Sequence, residues 1–256
     1  MEQNIAIVAQ ARMGSSRLPG KVMKKIDDEN PLLYYVMNQL KRCKLGQKLI
    51  IATTNFEQDD IIESYVKKHG IICFRGSAND CLDRYYKCAK HFKLSIIIRV
   101  TCDNPLIDPV LVDKMLDFFL TRKIDYLTNC KPRTFPQGTE VEIFSFESLE
   151  KAWKNAVKNS EREHVTPYFY NNPSGFKILN FFNSADQSGF RWTVDRKEDL
   201  ELVKRIISKI KKDPILTEDI VDLLKKEPQM LKINKNHVID EGYLKSLKIE
   251  DIHNRK

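Results

Sequence analysis

The chain has 256 residues, 42% apolar and 30% charged, with a formal charge of +8. That length suits one α/β domain with an arm or two small domains, and the composition excludes a disordered chain. No apolar run approaches a membrane span and no apolar leader opens the sequence, so a cytoplasmic chain without a membrane partner is expected. The six cysteines form no CxxC pair, which argues against a zinc site and fits a reducing compartment. The basic balance suits an anionic ligand or simply a Lys-rich surface.

Ile5-Ala6-Ile7-Val8-Ala9 reads as a buried first strand running into a polar, Gly-containing loop. Residues 31–40 predict a helix with Leu32, Leu33, Val36, Met37 and Leu40 on one face. A second strand follows at 48–54, an amphipathic helix at 59–69 and a short strand at 71–74. A helix at 79–92 leads to the most strand-like segment, Ser95-Ile96-Ile97-Ile98-Arg99-Val100-Thr101. It stops at the turn-rich Cys102-Asp103-Asn104-Pro105, before a helix at 109–122 and a strand at 126–129. Such alternation predicts an α/β fold with a doubly wound, mostly parallel sheet. The second half is less regular. It predicts strands at 139–144, 176–182 and 190–194 and helices at 146–159, 161–170, 199–210 and 217–226, the last with Thr217 as N-cap. A basic tail at about 228–256 has no assigned role.

The loop after the first strand reads Ala9-Gln10-Ala11-Arg12-Met13-Gly14-Ser15-Ser16-Arg17-Leu18-Pro19-Gly20-Lys21. Glycines let backbone N–H groups approach an anion, Arg grips phosphate oxygens as a fork, and Lys acts as a point charge. Five residues separate Gly14 from Gly20-Lys21, and Val22 follows, so it is not a Walker A loop. The Gly-x-Gly-x-x-Gly of a dinucleotide site is also absent.

This loop resembles the N-terminal signature of the nucleotide-sugar pyrophosphorylase superfamily. It looks most like the cytidylyltransferase branch that includes the CMP-Kdo and CMP-acylneuraminate synthetases, and closest to the spore-coat polysaccharide SpsF-like group. Arg75-Gly76-Ser77, Cys81-Leu82-Asp83-Arg84-Tyr85-Tyr86, Arg99 through Pro109, Arg162-Glu163-His164-Val165-Thr166-Pro167-Tyr168 and Arg191-Trp192-Thr193-Val194-Asp195 carry the same resemblance. It implies a Rossmann-like, GT-A-like nucleotide-diphospho-sugar transferase fold as a single domain. An acceptor or dimerisation arm is implied at about 130–190, and a homodimer with it. The implied activity is transfer of CMP from CTP to a Kdo-like or nonulosonic sugar acid, with Mg²⁺, for surface polysaccharide. For the base the resemblance points to Ala9, Ala11, Arg75, Gly76, Ser77 and Arg84.

Asp103 ends the strongest strand, where open parallel sheets bind ligands, and a carboxylate there suits Mg²⁺ on a triphosphate; it also suits a plain turn. Asp108 before Pro109 reads better as an N-cap. Asp195 reads equally as a ligand or as a cap; a matching Val-Asp-x-x-x-Asp-Leu segment in the CMP-Kdo synthetases implies the second metal-binding carboxylate, with Asp199 structural. Glu140 and Glu142 share one strand face, aimed either at a polar pocket or at solvent. The resemblance implies Arg162 or His164 on the acceptor, although neighbouring helix positions diverge. The expected site therefore has Arg12, Arg17 and Lys21 on the phosphates, assisted by Gly14, Ser15 and Ser16, with Asp103 and Asp195 on the metal. No two aspartates stand two residues apart, which argues against a glycosyltransferase Asp-x-Asp pair. Neither a basic helix nor an aromatic platform for nucleic acid is evident.

Overall fold

The computed structural model describes residues 3–46, 48–235 and 238–253. Seven strands form one sheet: β1 (Ile5–Gln10), β2 (Leu49–Thr54), β3 (Ile72–Gly76), β4 (Ile96–Thr101), β5 (Tyr126–Thr128), β6 (Glu142–Ser145) and β7 (Ile178–Asn180). Their spatial order is β3-β2-β1-β4-β6-β5-β7. The pairs within β3-β2-β1-β4 are parallel, β6 runs antiparallel to both β4 and β5, and β7 pairs in parallel with β5.

Strands β1 and β4 can be apolar at successive positions because both sheet faces are covered. On one face Ile7, Ile51, Ile98 and Ile143 pack against helices α1 (Leu32–Leu40), α2 (Asp60–Lys68), α4 (Pro109–Leu120), α8 (Lys197–Lys209) and α9 (Thr217–Lys226). On the other, Ala6, Val8, Ile97, Tyr126 and Phe144 pack against α3 (Cys81–His91), α5 (Phe146–Asn155) and α7 (Pro167–Asn171). Tyr126 and Phe144 stack on Phe169 at ring-centroid distances of 4.8 and 5.4 Å. The remaining helices are α6 (Asn159–His164) and α10 (Glu241–His253). No helix among the described residues is long and apolar enough to cross a membrane.

Asp108 caps α4, its Oδ1 accepting from the N–H groups of Val110 and Leu111 at 2.8 and 3.2 Å. Its Oδ2 accepts from Thr217 N at 2.9 Å, so one carboxylate fixes the start of two helices. Thr217 itself is the first helical residue of α9 and not its cap; Asp219 takes the Leu216 N–H instead.

The second half departs from expectation in two further places. The segment at 190–194 is not a strand. Its N–H groups go to separate turns, Trp192 to Gln137 O and Val194 to Asp103 O, both at 2.8 Å, because it crosses the sheet end instead of running along a neighbour. The helical stretch at 161–170 is broken at Val165, buried with φ 72°, so α6 and α7 point in different directions. The strands expected at 139–144 and 176–182 are present as β6 and β7, and both pair into the central sheet.

Candidate active site

The register of the parallel pair β1–β4 sets the site. Gln10 lies beside Thr101, so both strands end together and their following loops open on the same side of the sheet. The first of these loops folds back on itself: Ser15 N and Gly20 N both donate to Met13 O at 2.9 Å, and Met13 N donates to Asp59 Oδ1 at 2.8 Å. Gly20 sits at φ 67°, where a side chain would be strained, and this reversal starts the short helical turn Lys21–Met23.

Lys21 is thereby driven inward. Its Nζ donates to Asp103 Oδ2 at 2.9 Å, to Asp195 Oδ1 at 2.9 Å and to Val194 O at 2.8 Å. Burial opposes its charge, but Asp103 and Asp195 outweigh burial and hold the ammonium above the ordinary lysine range. Asp195 also accepts from Arg17 and from Arg191 Nη2, the latter at 3.2 Å. Burial alone would raise its pKa; Lys21 and Arg17 prevail and hold the carboxyl well below the usual carboxylate range. The far carboxylate oxygen of Asp103 accepts from Thr101 Oγ1. The turn bearing Asp195 is fixed by the fully buried Asp199, whose Oδ2 accepts from Asp195 N and Arg196 N at 2.9 and 3.0 Å.

These groups floor a cavity of about 580 Å³. One wall carries Arg12, Ser15, Ser16 and Arg17, and another Arg133, Gln137, Glu140 and Arg191. Gln10, Cys81, Arg84 and Arg99 form its inner corner, and α6 and α10 close the remaining side. Two carboxylates converging on one cation are a hard-oxygen donor set suited to a magnesium ion. No cluster of three or more such side chains exists among the described residues, so a dication there would complete its shell with phosphate oxygens and water.

The family model described as cytidylyltransferase matches residues 5–243, nearly the whole chain and every one of these cavity walls but part of α10. The chain belongs to the cytidylyltransferase family. The spore coat polysaccharide biosynthesis protein SpsF of Bacillus subtilis is 34% identical over 234 residues, covering 88% of this chain and 95% of SpsF. An uncharacterized protein of Methanocaldococcus jannaschii is 37% identical over 231 residues, 90% of this chain and 93% of that one. A solved cytidylyltransferase from Leptospira borgpetersenii superposes with a TM-score of 0.87 at 39% identity, covering 93% of this chain and 99% of that structure. A CMP-Kdo synthetase complexed with CTP shares the fold, with a TM-score of 0.65 at 18% identity over 81% of this chain and 99% of the other. This cytidylyltransferase is thus a CTP-dependent nucleotidyltransferase on an α/β nucleotide-sugar transferase fold.

Of the residues the sequence singled out, Ala11, Arg12, Ser15, Ser16, Arg17, Lys21, Asp103, Glu140, His164 and Asp195 line the cytidylyltransferase cavity. Ala9 is buried in β1, and Gly14 lies outside the lining, close to Gln58. Arg75 does not face the cavity. It bonds Asp60 and Glu63 on α2 and the carbonyls of Thr54 and Phe56, because alternation along β3 turns it outward. Gly76 and Ser77 reach the site only through Arg84. A Cβ at Gly76 would sit 2.9 Å from Arg84 Cγ, and Ser77 O accepts from Arg84 Nη1. Arg84 lines the cavity and is buried, bonding Ser77 O and Cys81 Sγ.

On the acceptor side, Arg162 is committed elsewhere, to Asp80 and the Trp153 carbonyl. Glu142 is buried and bonds Arg99 and Tyr126 instead of facing solvent or ligand. Glu140 does line the cavity and bonds Arg133 and, at 3.0 Å, Asn104 Nδ2. Burial holds the His164 imidazole below the ordinary histidine range; Glu163 opposes, and Arg99, Arg12 and Arg17 add to the lowering. Sequence reasoning missed Gln10, Arg99, Arg133, Gln137 and Arg191 as cavity residues. Only Arg99 carried a signal, a charge inside an otherwise apolar strand. Gln10 ends β1, and Arg133, Gln137 and Arg191 sit in loops whose approach to the site is made by tertiary bonds.

Proposed function

We propose that this cytidylyltransferase transfers CMP from CTP to a hydroxyl of a sugar acid and releases pyrophosphate. The observation that carries the reading is Lys21 held between Asp103 and Asp195 at the floor of a cavity whose adjacent wall is the Arg12–Arg17 loop. Arg12 and Arg17 are placed to take the β- and γ-phosphate oxygens, and the loop fixes their spacing. The acceptor hydroxyl attacks the α-phosphorus in line. A new O–P bond forms, the hydroxyl proton passes to solvent, the bond to the bridging oxygen breaks, and the pyrophosphate carries away the electron pair. The loop arginines and the charge of Lys21 stabilise that leaving group. Asp103 and Asp195 would hold Mg²⁺, which when bound polarises the α-phosphate and neutralises part of its charge.

The far wall supports an acidic acceptor, since Arg133 and Arg191 line it together with Gln137. A sugar acid presents one carboxylate and several hydroxyls; Arg133 and Arg191 outnumber the single carboxylate of that wall, Glu140, which leaves it cationic on balance. The name of SpsF supports a product destined for surface polysaccharide. The decisive experiment is a pyrophosphate-release screen of four nucleoside triphosphates against a panel of 2-keto-3-deoxy and amino sugar acids. Release with CTP and one acid is expected. Release with CTP and neutral sugars alone would remove the acid from the proposal.

A further inference from the structure

Helix α10 lies over the cavity, and its first residues meet the cations that an anionic substrate needs. Glu241 Oε1 is 2.7 Å from Arg196 Nη2, and its Oε2 is 3.7 Å from Arg17 Nη1. Asp240 Oδ1 stands 3.9 Å from Arg133 Nη2. Further along, Ser246 Oγ bonds His164 Nε2 and Glu163 Oε2, each at 3.0 Å. At the distal end, Glu250 Oε2 accepts from Ser160 Oγ at 2.9 Å.

Two independent features mark this packing as replaceable. None of residues 241–252 is fully buried, and Leu244, Ile249 and Ile252 are exposed; the aromatic contacts of the helix are those of Tyr243, edge-on to His164 and Tyr170 at ring-centroid distances of 5.4 and 6.4 Å, so no continuous apolar face anchors it. Apart from Tyr243, what holds it are partly exposed polar and ionic contacts, which are individually weak. The family match also ends at residue 243, so most of α10 lies outside the matched core.

We infer that α10 is an intramolecular competitor for the nucleotide site, with Asp240 and Glu241 occupying the cationic wall until a triphosphate displaces them. The inference rests on the cytidylyl-transfer reading above. A triphosphate brings more negative charge to Arg17 than one carboxylate does, so the exchange favours the ligand once it is abundant. At low CTP the helix taxes apparent affinity by the fraction of molecules it closes.

The test uses the full chain. Asp240→Asn/Glu241→Gln removes both carboxylates; Asn tolerates the φ of 55° that Asp240 adopts. Glu250→Gln loosens the distal end without touching the cavity. Calorimetric titration with CTP, and separately with tripolyphosphate as a base-free probe, is expected to show the double variant binding both roughly threefold to tenfold tighter. Glu250→Gln shifts affinity in the same direction by less. Amide exchange across 241–252 is expected to rise when CTP binds the unaltered chain. Equal or weaker binding by the double variant, or exchange that falls on adding CTP, overturns the inference, because α10 would then be a wall that closes on the nucleotide. Failure of every variant to bind CTP, with tripolyphosphate still bound, would sink the cytidylyl-transfer reading alone; the tripolyphosphate comparison would still decide for or against the competing helix.

Discussion

Lys21 is the residue on which the site turns. Its side chain is 10% exposed, and it neutralises two carboxylates that are 25% and 16% exposed. Lys21→Met leaves those carboxylates facing each other, which should cost about 1–3 kcal/mol after allowing for their partial solvation. Those two carboxylates are also the proposed magnesium ligands, and Lys21 competes with a dication for them. Added Mg²⁺ is therefore expected to raise the melting temperature of Lys21→Met more than that of the unaltered chain. A smaller or equal magnesium effect in the variant, measured by thermal denaturation, would separate the two aspartates from metal binding. Asp103→Ala should lower pyrophosphate release by two orders of magnitude or more with unchanged circular dichroism.

The same triad fixes a pH dependence. The folded pKa of Asp195 lies below its ordinary value of 3.8, so its stabilisation is present above that value and is lost as pH falls below it. Lys21 is raised above 10.5, so its contribution is present below that value and is lost as pH climbs beyond it. Between these limits both terms are flat. Melting temperature should drop on acidification below about pH 4, and less steeply in Asp195→Asn. An identical acid limb in that variant would show that other carboxylates set it.

At the scale of elements, the site depends on one crossing loop. Gly138 sits at φ 112°, and a Cβ there would lie 2.6 Å from Trp192 Cδ1 and 2.8 Å from Thr193 N. The obstructing atoms include backbone that leads directly to Val194 and Asp195. Gly138→Ala should cost about 2–3 kcal/mol in urea denaturation and lower turnover by shifting Asp195. If stability falls while turnover per folded molecule holds, the loop does not position that carboxylate. This crossing is also where the sequence was least legible. Strands β1, β2 and β4 announced themselves because a parallel sheet covered on both faces demands unbroken apolar runs. The loop cations announced themselves by following β1. The path of residues 190–194 did not, because bonds to Gln137 and Asp103, distant in sequence, overrode a strand-like pattern. Arg162 and Glu142 looked like ligand residues and instead pair with Asp80 and Arg99; a charge in the sequence does not say which neighbour the fold supplies. The tail offered no pattern at all, since α10 is held by polar contacts and not by a stripe.

For the whole molecule, ligand binding and folding are linked, because the cavity draws on segments from residue 10 to residue 249 that meet only in the folded chain. A nucleotide at a hundred times its dissociation constant adds about 2.7 kcal/mol to stability. For a chain of this size that corresponds to a rise of about 5–10 °C in melting temperature. The base should matter as well as the triphosphate. Arg84 is buried in the inner corner, and among the described residues it has no carboxylate partner and its Nε has no hydrogen-bond acceptor. Gln10 and Arg99 stand beside it. Donors in such a corner favour a base edge that presents acceptors and penalise one that leaves them unpaired. CTP with Mg²⁺ is therefore expected to shift the melting temperature at least twice as far as ATP or GTP at equal concentration. Arg84→Met should erase that difference while retaining the shift common to all triphosphates. Equal shifts from all four nucleotides in the unaltered chain would mean that the cavity reads phosphate alone, and that the inner corner serves packing instead of base selection.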